Sequence, residues 1–221
     1  IGPGKGAMTS LLLEKCESLT AIEIDKDLIR FLKKAYGDRK NFNLIEKDIL
    51  LYDPKELVRV NKLIGNIPYN ISTPIIEWII DNKSSFDEIF LMLQKEFGER
   101  CVAQPNTKSY GRLSIFVQCF FDVTVIREVD KSSFDPSPKV QSIFLKLIPK
   151  VSDMTPNSIL MKNLSTLTRE AFSKRRKLIT NSLKSFFTEE DLVNLGIERK
   201  SRPENLSVET YIKLAKSIQS G

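Results

Sequence analysis

The sequence predicts an α/β fold built on an open, mostly parallel sheet, followed by a small all-helical part. Three observations carry this. Short apolar runs of strand length, at residues 19–24, 42–46, 63–64 and 86–94, alternate with stretches of helical period, as expected of parallel strands joined by helical crossovers. A glycine-rich turn, Gly2-Pro3-Gly4-Lys5-Gly6, precedes an acid, Glu23, at the end of the next apolar run, which is the order found in nucleotide-binding α/β units. The chain beyond residue 155 reads as helix after helix, with good start and stop residues.

Composition narrows the chemistry. At 221 residues and 41% hydrophobic content the chain can bury a proper core. No apolar run approaches the roughly 18–20 residues of a membrane span. There is no His, which removes His-based triads, most zinc enzymes and the commonest general base. Cys16, Cys101 and Cys119 are odd in number and widely spaced, so reduced, buried thiols are expected rather than a disulfide framework or a zinc site. The net charge of +6 is uneven: residues 155–221 hold 12 Lys+Arg against 7 Asp+Glu. A basic tail on a near-neutral body suits an anionic partner, nucleic acid first. It equally describes a solvated helical surface.

In chain order, Ile1 is the end of a strand that opens in mid-motif, so an N-terminal truncation is expected. The glycines let backbone approach a ligand, and the helix expected at 8–16 offers free N–H groups. By itself such a turn fits a plain loop as well. The run 19–24 is a strand ending at Glu23, an acid suited to ribose hydroxyls. A helix over 26–36 carries Leu28, Ile29 and Leu32 on one face. The strand 42–46 leads to Asp48, which can accept from the exocyclic amine of an adenine, with Ile49 covering the ring. A turn-forming Asp is the alternative reading.

The turn Gly65-Asn66-Ile67-Pro68-Tyr69-Asn70-Ile71-Ser72-Thr73-Pro74 links the apolar pair Leu63-Ile64 to a helix over 74–80, for which Thr73 is the expected cap. Ligands bind at the carboxyl ends of strands in open α/β sheets. A planar amino group needs two acceptors in its plane. Asn66 offers a side-chain carbonyl, and the Ile67 carbonyl, directed by Pro68, offers the second. Tyr69 offers a π face. The set suits an aromatic amine such as adenine N6. A rigid strand-to-helix turn with a packed Tyr fits the same residues.

Downstream, 86–94 is the most strand-like run, 95–102 a short helix, 104–110 a loop and 111–117 a further helical segment. The runs 121–129 and 140–148 alternate as strands and are expected to pair as a hairpin-like unit. Between them lies Phe134-Asp135-Pro136-Ser137-Pro138-Lys139. Two prolines stiffen this loop. Phe134 held outward would stack on a base, and Lys139 would meet a phosphate; a Phe tucked under the loop is the alternative. Residues 149–156 form a linker. Helices follow at 157–172, 174–187, 188–195 and 207–218, the second carrying Lys174-Arg175-Arg176-Lys177.

Taken together, Gly2-Pro3-Gly4-Lys5-Gly6, Glu23, Asp48, Asn66-Ile67-Pro68-Tyr69 and Phe134-Asp135-Pro136-Ser137-Pro138-Lys139-Val140 resemble the S-adenosylmethionine-dependent rRNA adenine N6-methyltransferases over nearly the whole chain. Two branches share these motifs. One is the KsgA-like enzymes acting on small-subunit rRNA, the other the Erm-like enzymes acting on large-subunit rRNA. The segments Gln94–Ser114 and Ala171–Lys177 with Asn181-Ser182-Leu183 look like the first. The chain departs from the family in lacking the Glu that usually precedes the first Ile-Gly and the upstream Asn-Phe-Leu-like motif, and in having Ile67 where Leu is common.

The resemblance implies a Rossmann-like class I methyltransferase with a mostly parallel seven-stranded sheet, its first strand truncated here. Residues 1–150 would be the S-adenosylmethionine-binding catalytic domain and 155–221 a helical rRNA-binding domain. The implied reaction is N6,N6-dimethylation of two adjacent adenosines near the 3′ end of 16S rRNA. The implied agent is a cytoplasmic monomer acting on a pre-30S ribosomal particle, without membrane or metal. Gly2, Glu23, Asp48 and Asn66 would line S-adenosylmethionine, together with the turn glycines Gly4 and Gly6, and Ile24 and Ile49 would flank its adenine. Asn66, Ile67, Pro68, Tyr69 and Phe134 would hold the target base. Lys139, Lys174, Arg175, Arg176 and Lys177 would hold rRNA. An Erm-like enzyme, a relative that binds RNA without catalysis and a DNA adenine methyltransferase remain as alternatives.

Overall fold

The computed structural model describes residues 1–57, 62–133, 139–151 and 158–218. Its elements alternate through the first half: α1 (Ala7–Leu13), β1 (Leu19–Glu23), α2 (Lys26–Tyr36), β2 (Phe42–Glu46), β3 (Lys62–Asn66), α3 (Ser72–Asp81) and β4 (Glu88–Gln94). Then come α4 (Lys95–Val102), α5 (Arg112–Phe120), β5 (Phe121–Val129) and β6 (Ser142–Pro149). Four helices close the chain: α6 (Ile159–Ser173), α7 (Ile179–Ser182), α8 (Glu189–Asn194) and α9 (Val208–Ser217).

The strands form a two-stranded sheet, β1-β2, and a four-stranded sheet in the order β3-β4-β6-β5. β1 and β2 are parallel, from Leu19 opposite Phe42 to Glu23 opposite Glu46. β3 and β4 are parallel, from Lys62 opposite Glu88 to Asn66 opposite Met92. Between β1 and β3 the backbone of Ile1 and Gly2 bridges the two sheets. The Ile1 amino nitrogen donates to the Ile64 carbonyl at 2.6 Å, and the Gly2 N–H to the Ile22 carbonyl at 3.3 Å. Six of the seven expected strands are thus present among the described residues.

By packing, the chain divides into two compact units, residues 1–94 with 126–146, and residues 95–125 with 147–221. In the first, Ile75 and Ile79 of α3 and Ile89, Leu91 and Leu93 of β4 are fully buried. Trp78, also buried, donates its indole N–H to the Tyr52 carbonyl at 2.9 Å, so its polar edge is satisfied in the core. In the second, α6 and α9 pack around Leu164, Leu167, Ala171, Tyr211 and Leu214. Tyr110 and Tyr211 are buried there, and their hydroxyls donate to the Leu206 and Pro203 carbonyls, both at 2.9 Å.

The helix expected over 26–36 is present, and its start is fixed by a residue the sequence reading did not single out: the Asp25 carboxylate accepts from the N–H groups of Asp27 and Leu28. Thr188 and Asp191 form a reciprocal capping box at α8, and Gly196 ends that segment at φ 82°. The three cysteines are free; Cys101 and Cys119 are buried and Cys16 half-buried. Burial pushes both buried thiols up to about 12, so neither is a ready thiolate.

Other expectations are corrected. Thr73 does not cap α3. A 3-10 turn over Tyr69–Ile71 runs straight into that helix, and Ser72 Oγ donates to the Tyr69 carbonyl at 3.1 Å. The preceding turn thus takes the place of a side-chain cap. The expected helix over 174–187 is also absent. Lys174 ends α6 in a non-helical conformation, the Lys177 N–H returns to the Lys174 carbonyl, and helix resumes only at Ile179. The basic run is therefore a turn. No helix among the described residues is long and apolar enough to cross a membrane.

Candidate methyl-transfer site

The strand ends place the expected cofactor residues side by side. Gly2 lies against Ile22 of β1, and the Lys47 N–H donates to the Glu23 carbonyl at 3.1 Å. The carboxyl ends of β1 and β2 therefore stay in step up to Asp48. On its other side Gly2 touches the end of β3. A Cβ at Gly2 would lie 3.0 Å from the Asn66 carbonyl oxygen, and Gly2 has φ +60°. Left-handed backbone and a close approach together require glycine here. The neighbours thus run from the segment before Asp48 to Glu23 at the end of β1, then to Gly2, and from Gly2 to Asn66 at the end of β3.

The two acids are held by their own backbone. Glu23 is 8% exposed. Its Oε1 accepts from the N–H groups of Ile24 and Asp25 at 2.9 and 3.0 Å. Asp48 Oδ1 accepts from the Leu50 N–H at 3.0 Å. In each case one oxygen fixes the side chain. The other, Oε2 or Oδ2, has no hydrogen bond among the described residues. That is a suitable arrangement for a ligand bearing hydroxyls and an amine. Ile24 is exposed and Ile49 is buried. Gly4 lies in the left-handed region with open space where a Cβ would stand. Gly6, at φ +82°, lies under the Tyr36 ring, whose hydroxyl donates to the Gly6 carbonyl at 3.3 Å. Tyr36 was not expected from sequence. It seats the glycine turn on α2.

The Asn66 turn is rigid in backbone and open in its polar groups. The Ile67 side chain is 1% exposed, its N–H donates to the Met92 carbonyl at 3.1 Å, and its Cδ1 occupies the space a Cβ at Gly65 would need. Burying this side chain fixes the peptide plane. The Ile67 carbonyl accepts no hydrogen bond among the described residues, and the exposed Asn66 side chain makes none. Pro68 is exposed and sets the direction of the chain into the 3-10 turn. Tyr69 is half-buried, and its hydroxyl is hydrogen-bonded to Ser142 Oγ at 2.9 Å.

Phe134 and the rest of residues 134–138 lie outside the described residues. Lys139 is exposed. In the basic turn, Lys174, Arg176 and Lys177 are exposed, with no side-chain ion pair among the described residues. Arg175 is different. Its Nε donates to Glu204 at 2.5 Å and its terminal nitrogen to the Thr107 carbonyl at 3.1 Å. This ties the loop after α4 to the 3-10 turn at Pro203–Asn205, where the Asn106 N–H also donates to the Glu204 carbonyl at 2.8 Å.

A cavity of about 1020 Å³ opens between β1 and β3, lined by Leu12, Ala21, Ile22, Leu63, Trp78 and Phe86 among others. Glu23, Asp48 and Asn66 are not in its lining. Thr9, Lys15, Glu17, Thr20 and Lys62 also line it, so it is of mixed polarity and separate from the strand-end acids.

Residues 1–220 match the family described as ribosomal RNA adenine dimethylase. The chain is 40% identical over 221 residues to the ribosomal RNA small subunit methyltransferase A of Legionella pneumophila (strain Corby), covering 100% of this chain and 86% of that protein. Among solved structures it is similar to a dimethyladenosine transferase from Plasmodium falciparum, with a TM-score of 0.79 and 30% identity over 96% of this chain and 86% of that one. It also shares the fold of the 23S rRNA methyltransferase ErmE, with a TM-score of 0.74 and 22% identity over 98% of this chain and 88% of that one.

Proposed function

The chain belongs to the ribosomal RNA adenine dimethylase family, and from that premise we propose that it dimethylates N6 of two adjacent adenosines near the 3′ end of small-subunit (16S) rRNA. It acts in the cytoplasm, as a monomer, on a pre-30S particle. The observation that carries the chemistry is the pair of acceptors at the end of β3, Asn66 Oδ1 and the Ile67 carbonyl, which make no hydrogen bond among the described residues, on a backbone held by the burial of Ile67.

S-adenosylmethionine supplies an activated methyl group on its sulfonium. The protein's part is to hold and orient. The free oxygens of Glu23 and Asp48 receive ribose hydroxyls and the adenine amine, and the open space over Gly4 lets the donor approach backbone. Asn66 and the Ile67 carbonyl accept from the target N6. They favour a pyramidal, more nucleophilic nitrogen and tolerate the positive charge developing on it. No strong base is required, in keeping with a chain without His; the proton leaves to solvent. The base must leave its stack to reach these acceptors. Tyr69 and Phe134 clamp it, each stacking contact contributing about 1–3 kcal/mol. Residues 1–150 carry this chemistry, and residues 155–221, with Lys174, Arg176 and Lys177 displayed on one turn, hold rRNA through phosphates.

The small-subunit reading is supported over the Erm-like one by the 40% identity to a small-subunit enzyme. The experiment that tests it is transfer of labelled methyl from S-adenosylmethionine to unmethylated small subunits, with the modified nucleotides mapped. Two adjacent N6,N6-dimethyladenosines near the 3′ end are expected. Label on large-subunit rRNA would mean an Erm-like enzyme, and tight binding without transfer a binding protein.

A further inference from the structure

We propose that Ser142 is a positioning residue for methyl transfer, holding the Tyr69 ring at the angle in which it receives the target base. This rests on the reading of Tyr69 as a stacking face.

A tyrosine that only stacks has no use for its hydroxyl, and phenylalanine would serve. Here the hydroxyl is committed. It lies 2.9 Å from Ser142 Oγ, across 73 residues of sequence. Ser142 is the first residue of β6 and is fully buried. Its hydroxyl has no other side-chain hydrogen bond among the described residues. A buried hydroxyl left unpaired is costly, so each group holds the other in place.

The other end of Tyr69 is fixed independently. Its carbonyl accepts from Ser72 Oγ at 3.1 Å, and Ser72 is 3% exposed. It also accepts the first backbone N–H of α3. With the backbone set in a 3-10 turn and the far end of the ring tethered to a neighbouring strand, little freedom remains at χ1 and χ2. The ring plane is therefore set before the base arrives, and its ordering does not have to be met at binding. Reaction geometry is sensitive to small misplacements. Loss of the tether should thus lower the rate of transfer more than the affinity for either substrate.

The experiment compares Ser142→Ala, Tyr69→Phe, the double variant, Ser142→Thr and Tyr69→Ala in steady-state and single-turnover methylation, with melting temperature and donor affinity measured alongside. Ser142→Ala and Tyr69→Phe should each lower kcat about tenfold, with KM for S-adenosylmethionine unchanged. N6-monomethyladenosine should accumulate, because the second transfer has the more crowded nucleophile. The double variant should be no slower than either single, since both remove one bond, and Ser142→Thr should restore most of the rate. If Ser142→Ala does not fold, Tyr69→Phe reads the same bond from its more exposed end. Full activity in Tyr69→Phe, additive losses in the double variant, or a rise in KM or a loss of stability without a fall in kcat overturns the proposal. Tyr69→Ala separates it from its premise. An active Tyr69→Ala removes the stacking reading itself, whereas an inactive Tyr69→Ala beside a fully active Tyr69→Phe removes only the role of Ser142.

Discussion

The two ends of the β3–β4 pair are built in opposite ways. At the amino end, Glu88 of β4 is clasped by Lys146 of β6 and by Lys62 of β3, the latter at 2.8 Å. Charge is paired with charge across three strands. At the carboxyl end, four residues beyond Lys62, the Asn66 side chain and the Ile67 carbonyl make no hydrogen bond among the described residues, while Asn66 stands opposite Met92 in the ladder and the Ile67 N–H donates to the Met92 carbonyl. One end uses its polar groups to hold strands together. The other leaves polar groups unspent on a fixed frame, which suits a site that must bind something else. A variant at the open end should therefore change activity and spare stability, and one at the closed end should do the reverse.

The largest effect belongs to Asn66→Ala. Removing one of two acceptors that act on developing charge should lower methyl transfer roughly 10²–10³-fold or more. Because the Asn66 side chain is exposed and makes no hydrogen bond among the described residues, stability should move by less than about 0.5 kcal/mol. Denaturant titration beside methyl-transfer assays decides it. A variant that is active, or inactive only because it unfolds, breaks the contrast.

Next is Gly2→Ala, where the open end meets the glycine turn. A side chain there meets left-handed backbone and the Asn66 carbonyl at 3.0 Å. Strain of about 1–2 kcal/mol should weaken S-adenosylmethionine binding roughly tenfold, by calorimetry. The donor affinity of Asn66→Ala should fall less. Unchanged donor affinity in Gly2→Ala would detach the turn from the site.

What could be foreseen follows the same division. The helix Lys26–Tyr36 and the strand Phe42–Glu46 stand where the sequence places them, because their signal, the spacing of the apolar residues, is local. Glu23, Asp48 and Asn66 stand out in the sequence as polar residues at the ends of apolar runs; what the sequence does not show is that the backbone of Ile1 and Gly2 links the end of β1 to β3. The Ser142 tether could not be foreseen, since its partner lies 73 residues away and a serine in a strand gives no signal of its own. The basic turn was misread for the same reason. Lys174-Arg175-Arg176-Lys177 has good helix-forming residues, but Arg175 is claimed by Glu204, 29 residues on, and by Thr107, 68 residues back. Tertiary bonds outweighed local preference.

That misreading yields a sharper form of the contrast, now inside four consecutive residues. Arg176 is exposed and unpaired among the described residues, whereas Arg175 is fastened. Arg176→Ala should weaken rRNA binding a few-fold and reduce the slope of log affinity against log salt by about 1, with melting unchanged. Arg175→Ala should leave the slope alone and lower stability by about 1 kcal/mol, or Tm by about 3 °C, for a partly exposed charged pair in a chain of this size. Equal loss of slope in both variants would put Arg175 in the RNA interface and erase the distinction.

The smallest effect tests the closed end. Hydrogen bonds from Lys146, then from Lys62, hold the Glu88 carboxyl down to about 2, below the ordinary 4.5. A carboxylate whose pKa is depressed by folding stabilises the fold fully above its unfolded value. That contribution is lost as pH falls through the folded value. The Glu88 contribution should therefore be whole above about pH 4.5 and decline as pH falls toward 2. Denaturation midpoints at pH 6, 4 and 3 should drop more steeply in the parent than in Glu88→Gln, which cannot titrate there. At pH 6 the variant should be the less stable of the two, and the difference should shrink with acid. Methyl transfer at neutral pH should be nearly unaffected in Glu88→Gln, because the register from Lys62 opposite Glu88 to Asn66 opposite Met92 is also carried by the backbone ladder and the buried Leu63, Ile89 and Leu91. A large loss of activity in Glu88→Gln without unfolding would show that the ion cluster sets the geometry of the acceptors, and the two ends of the sheet would then be one device.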